Sequence, residues 1–272
     1  MLHQHHQRHR VVVTVALAAA VLGNAGRARG EGADSPAARE PAAAVSRSAE
    51  AGAFLPLTQA AALDAQGLYG LATGGYDGAR RSALFEAAAE VNVWGPLSVR
   101  GGAVYTGRDG AETTVRPSLG ARLQLLHEGR QGIDGALGVF YRPEGLTEPE
   151  GEIETVLSAG AHLGGTYLLA NLVYGQDPEG NERDGEVRLA GQRALGPRLR
   201  LGLDGRLRFA IGTPEAGSKA AGEPAFDLLV GPAAAVVLGR VVLVAQAGAS
   251  ALRVHSAGAY GAFLLGGVGT SF

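Results

Sequence analysis

The sequence predicts an all-β fold, a closed antiparallel up-and-down barrel of about twelve strands that crosses a membrane. Three observations carry that expectation. Apolar and polar residues alternate with a period of two along most of the chain after Gln66. The alternating stretches are each near the roughly 9–11 residues that a tilted strand needs to cross a bilayer. The connections between them switch between short and long.

The clearest stretch is Leu199–Ile211, L-R-L-G-L-D-G-R-L-R-F-A-I, in which Leu199, Leu201, Leu203, Leu207, Phe209 and Ile211 share one phase. Arg200, Asp204, Arg206 and Arg208 fall in the other phase. A helix would scatter these residues around its circumference, so the segment is a strand with one greasy and one charged face.

Taken in order, the chain begins with Arg8 and Arg10 before an apolar run, Val11–Leu22, and the small residues Gly23-Asn24-Ala25. That order predicts a signal peptide over residues 1–25. An uncleaved anchor is the other reading, although the run is shorter than the roughly 20 residues of a spanning helix. Residues 26–65 are expected to be a disordered linker, since their first part is Ala, Glu, Arg, Ser and Pro without periodicity. Phe54–Gln66 has helical character and reads as a short helix, a plug or a lead-in to the first strand. The barrel is expected over residues 66–272.

Its strands are expected at 67–76, 82–94, 97–106, 113–127, 133–142, 152–163, 166–175, 185–194, 199–211, 225–238, 241–252 and 260–272. Short connections fall at Gly95-Pro96, Glu128–Gly132, Gly164-Gly165, Gly196-Pro197 and Gly239-Arg240, and long ones at 107–112, 143–151, 176–184, 212–224 and 253–259. The long set is rich in Gly, Pro, Glu and Asp, as solvated loops are. Residues 225–252 could also be scored as one apolar helix. Gly231, Pro232, Gly239 and Arg240 inside it favour two strands and a tight hairpin, because charge at mid-span is costly.

The other strands repeat the two-faced pattern. Phe85, Ala87, Ala89, Val91 and Val93 oppose Glu86, Glu90 and Asn92, while Val115, Leu119, Ala121, Leu123 and Leu125 oppose Arg116, Ser118, Arg122 and Gln124. Ile153, Leu157 and Leu163 likewise oppose Glu152, Glu154 and His162. A soluble barrel with a filled core would show the same alternation turned inside out. The leader, the connection lengths and the end of the chain decide for lipid on the apolar face.

That end is Tyr260-G-A-F-L-L-G-G-V-G-T-S-Phe272, in which Tyr260, Leu264, Val268 and Phe272 share a phase, with Thr270 and Gly266 as weaker members. It resembles the terminal strand of bacterial outer-membrane β-barrel proteins. The resemblance implies residence in the outer membrane of a Gram-negative bacterium, contact with its lipid, a periplasmic linker, and recognition of this strand by the barrel-assembly machinery. The aromatic girdles of such barrels are thin here, at 6% aromatic residues, with Trp94, Tyr105, Tyr141 and Tyr174 as candidates.

The remaining composition mostly excludes. A formal charge of −2 gives no footprint for nucleic acid, and the lack of cysteine removes disulfides, thiolate metal sites and thiol catalysis. No dinucleotide fingerprint, phosphate loop or metal-spaced cluster is present, so no cofactor, metal or catalytic residue is assigned. Outer-membrane phospholipases place His, Ser and Asn on neighbouring strands with His two residues before Ser, a spacing this sequence lacks. Ser158 and His162 would stand about 13 Å apart along a strand.

The expected site is therefore a lumen lined by Glu86, Glu90, Arg116, Arg122, Glu152, Glu154, Arg200, Asp204, Arg206 and Arg208. Charge there suits a narrow channel for small polar or charged solutes. The alternatives are a closed structural or surface-interaction barrel, an autotransporter-like translocator, and an outer-membrane enzyme.

Overall fold

The computed structural model describes residues 55–59, 67–108, 113–143, 151–178, 182–212, 225–254 and 257–271. Within them twelve strands form one closed barrel: β1 (Leu68–Asp77), β2 (Ser82–Trp94), β3 (Leu97–Arg108), β4 (Thr114–Leu126), β5 (Asp134–Pro143), β6 (Gly151–Leu163), β7 (Thr166–Gln176), β8 (Arg183–Ala194), β9 (Leu199–Ala210), β10 (Phe226–Leu238), β11 (Val241–Val254) and β12 (Ala257–Ser271). Each pairs antiparallel with its neighbours in sequence, and β1 pairs with β12 from Tyr69↔Ser271 to Asp77↔Phe263 to close the ring. Closure leaves no free sheet edge, which is what a strand-built membrane span requires.

The expected strands are all present, the largest displacement being β12, which starts at Ala257 rather than Tyr260. The helix alternative for residues 225–252 is overturned, because β10 and β11 pair from Phe226↔Arg253 to Leu238↔Val241. Gly239 at their hairpin has φ 65°, as Gly164 has φ 62° at its own, the left-handed backbone that tight hairpins use. A four-residue helix, α1 (Glu128–Gln131), stands between β4 and β5 and stops at Gly132, φ 82°. The alternation of connection lengths is less regular than expected. Only residues 255 and 256 separate β11 from β12, because the pairs Arg253↔Gly258 and Val254↔Ala257 carry the ladder through a stretch whose polar and small residues read as loop. The expected signal peptide, most of the expected linker and Phe272 lie outside the described residues.

The facing is the inverse of a soluble barrel. Leu119, Leu157, Leu203, Leu243 and Leu264 are exposed on the outer surface. Glu90, Arg122, Glu154, Arg188 and Asp204 are buried inside. Tyr76, Tyr105, Tyr141 and Tyr174 are exposed near one rim and Trp94 near the other, which forms the belt of amphipathic rings found at bilayer interfaces.

Close approach explains part of the glycine content. A Cβ on the inward-facing Gly202 or Gly231 would lie 2.0 Å from a carbonyl oxygen of the adjacent strand.

Candidate functional site

The inner wall has two characters. Across β2–β6, β8 and β9 it is charged, and six of its arginines meet a carboxylate on their own strand or a near neighbour. Arg100 donates to Glu86 at 3.0 Å, Arg122 to Glu90 at 2.9 Å, and Arg142 pairs with Glu154 at 2.8 Å. Arg188 pairs with Glu186, and Arg208 with Asp184. Arg206 reaches Asp227 at 2.6 Å, and Arg80, from the turn between β1 and β2, reaches the same oxygen at 2.5 Å. Charges of this kind are tolerable in a lumen because water and partners reach them, whereas lipid would offer neither.

The same turn folds inward across three strands. Gly78 N–H donates to the Ala262 carbonyl at 2.9 Å, Ala79 N–H to Ser250 Oγ at 3.3 Å, and Arg80 to Asp227. It thereby covers part of one mouth of the barrel.

Across β7 and β10–β12 the wall is mostly apolar instead, Asn171, Asp227, Gln246 and Ser250 aside: Tyr167, Leu169, Val173, Leu229, Ala233, Ala235, Val237, Val242, Val244, Phe263 and Leu265 are buried. Periodicity could not assign these strands, since both phases are apolar. Their near lack of charge was the one available signal that this side needs a cover.

Residues 55–59 supply the cover. Leu55 packs with Tyr167, Leu169, Ala190 and Ala233, and Leu57 with Leu229, Phe263 and Leu265. Leu57 N–H donates to Asp204 Oδ2 at 3.0 Å and the Thr58 hydroxyl to Asp204 Oδ1. Gln59 N–H donates to Asn171 Oδ1 at 2.8 Å, while Asn171 Nδ2 donates to the Gln59 carbonyl at 3.0 Å. Of the stretch Phe54–Gln66, these five residues lie against the inner wall; Phe54 and residues 60–66, where the helical character was strongest, lie outside the described ones.

Between this segment and the charged wall lies a cavity of about 180 Å³ whose lining includes six arginines and five carboxylates. Of the expected lumen residues, Glu86, Glu90, Arg122, Glu154, Arg206 and Arg208 line it. Asp204 faces inward but is fully buried beneath Leu57 and Thr58. Arg200 is half-buried toward the rim with the short turns, and Arg116 is exposed near the opposite one. Glu152 stands opposite Arg142 in the β5–β6 register. The counter-charges of Arg206 and Arg208 are Asp227 and Asp184 on the flanking strands.

Tyr260 is 85% exposed on the outer face, with Leu264 and Val268 beside it in phase. Ser158 is hydrogen-bonded to Asn171 at 2.9 Å, and His162 to Glu128 at 2.7 Å. Among the described residues no three His, Cys, Asp or Glu side chains group as metal ligands.

The barrel is similar to the NanC porin, with a TM-score of 0.54 and 7% identity, covering 75% of this chain and 98% of that one. It is similar also to the KdgM porin, at a TM-score of 0.50 and 9% identity over 76% of this chain and 99% of that one. The KdgM porin has also been solved in complex with disordered oligogalacturonate. No family model and no curated protein matches the sequence. At such identities the likeness is one of fold, and the chain is a twelve-stranded antiparallel barrel resembling bacterial outer-membrane porins.

Proposed function

We propose that this chain is an outer-membrane channel that passes small polar or charged solutes along the charged side of its lumen. The supporting observation is the two-walled interior: a cavity bounded by paired arginines and carboxylates on one side and by Leu55–Gln59 on the other. Transport of hydrophilic solutes needs polar groups where water is continuous and apolar groups where lipid is, and the barrel divides its side chains in that way. Arginines outnumber carboxylates in the lining by one, so the expected preference is weakly for anions. In this reading residues 1–25 direct export, residues 26–65 form a periplasmic linker whose Leu55–Gln59 part reaches into the lumen, and Tyr260, Leu264, Val268 and Phe272 present the strand that the assembly machinery engages.

Single-channel recording of the refolded protein in a planar bilayer under a salt gradient tests the proposal. Discrete steps with a reversal potential on the anion side support it. A folded barrel that shifts its gel migration on heating yet stays silent fits the closed structural barrel, the reading favoured by the pairing of the wall arginines.

A further inference from the structure

The barrel closes without residues 55–59. They belong to no strand, and the β1–β12 ladder completes the ring independently of them. Their attachment is nevertheless specific. Asp204 is fully buried, and the Leu57 N–H and the Thr58 hydroxyl both donate to its carboxylate. Asn171, equally buried, exchanges two hydrogen bonds with the main chain of Gln59, as a neighbouring strand would. Leu55 and Leu57, two residues apart, enter separate apolar seats on the wall. Wall side chains that bond a segment's main chain, combined with separate pockets for its side chains, are the chemistry by which proteins hold a peptide in one register.

The opposite side of the segment faces the cavity that holds the charged wall. Leu55–Gln59 therefore occupies lumen that the strands would otherwise leave open.

Building on the channel reading above, we infer that the inner wall around Asp204 and Asn171 is a binding site for a short peptide segment, occupied in cis by Leu55–Gln59, and that this segment is a tethered plug whose release widens the conducting path. The polar anchors give the site its register. The two leucines keep the apolar wall dry while the plug is seated.

The chain contains no cysteine, so a single introduced pair is unambiguous. Thr58→Cys together with Asp204→Cys ties the segment to the wall when oxidised. When reduced, the same variant lacks the Asp204 carboxylate and frees the segment. Conductance of both forms is recorded in planar bilayers, with cross-linking checked by mass. The reduced form is expected to conduct roughly twofold more than the oxidised form, because an added chain segment narrows a lumen of this strand number, and reoxidation is expected to restore the lower level.

Equal conductance in the two forms of an active channel overturns the plug and leaves the channel reading standing. Conduction by the reduced form alone supports both. Silence of the wild type and of both forms, with folding verified, overturns both. As a second variant, Leu55→Ser with Leu57→Ser alters the segment and no strand; it is expected to raise conductance, and an unchanged value overturns the plug.

Discussion

Leu203 and Asp204 are adjacent in β9, yet Leu203 is 63% exposed and Asp204 is fully buried. One step along a strand reverses the facing of a side chain. Here that step separates a position on the outer surface from one against Leu57 and Thr58.

Leu203→Arg is expected to lower the yield of folded barrel in lipid bilayers, since a charge on the lipid face near mid-depth costs about 2–4 kcal/mol. Asp204→Leu is expected to spare insertion. Folding yields followed by heat-modifiable migration check the pair, and equal yields would sink the facing assignment.

Glu90 and Arg122 form the most enclosed ion pair of the wall, their side chains 8% and 7% exposed, and Ser98 Oγ donates to the same carboxylate. Glu90→Ala removes the carboxylate that neutralises the buried Arg122 guanidinium, and a loss of about 3 kcal/mol in urea unfolding is expected. Replacing both, Glu90→Leu with Arg122→Met, should recover much of that loss. A double variant no more stable than the single one would show that the pair carries no coupling.

Arg80 and Arg206 share one oxygen of Asp227. Asp227→Asn removes the negative charge between two guanidinium groups, so the reversal potential is expected to move toward anions. Arg206→Gln with Arg208→Gln should move it toward cations. Shifts of the same sign in both variants would refute this account of the lumen field.

Gly231 faces the lumen, and a Cβ there would lie 2.0 Å from the Ala247 carbonyl oxygen. Gly231→Ala must push β10 and β11 apart, and overpacking of this kind costs about 1–3 kcal/mol. Gly266→Ala, whose Cβ would meet no atom nearer than 3.8 Å, is the matched control. The urea midpoint is expected to fall for the first variant and to hold for the second.

Trp94 is the single tryptophan of the chain and is 77% exposed near the rim with the short turns. Its fluorescence is expected to be quenched by lipids brominated near the headgroup more strongly than by lipids brominated near the bilayer centre. The opposite order would place this rim in the hydrocarbon core.

The order and approximate bounds of all twelve strands were legible because most alternate on a period of two between Gly, Pro and charged punctuation, as Leu199–Ile211 and Ser82–Trp94 do. The extension of β11 and β12 toward each other was not, because Arg253 and Ala257–Ala259 have the composition of a loop and pair only through cross-strand register. The charged half of the lumen was legible from the phase of Glu86, Glu90, Arg122, Arg206 and Arg208. The apolar half was hidden, because in β10 both Leu229, which faces in, and Val230, which faces out, are apolar.

By itself, then, the sequence determined the strands, their antiparallel order and the residues that share a face, since these follow from local geometry with a fixed period. Tertiary structure set the apolar face outward, which the period alone leaves open and only features beyond it indicate, and decided which carboxylate meets each arginine and where Leu55 and Leu57 are seated. Period two is unchanged when a barrel is turned inside out, and partners such as Arg206 and Asp227, or Leu57 and Asp204, meet only after register and closure have placed distant segments side by side.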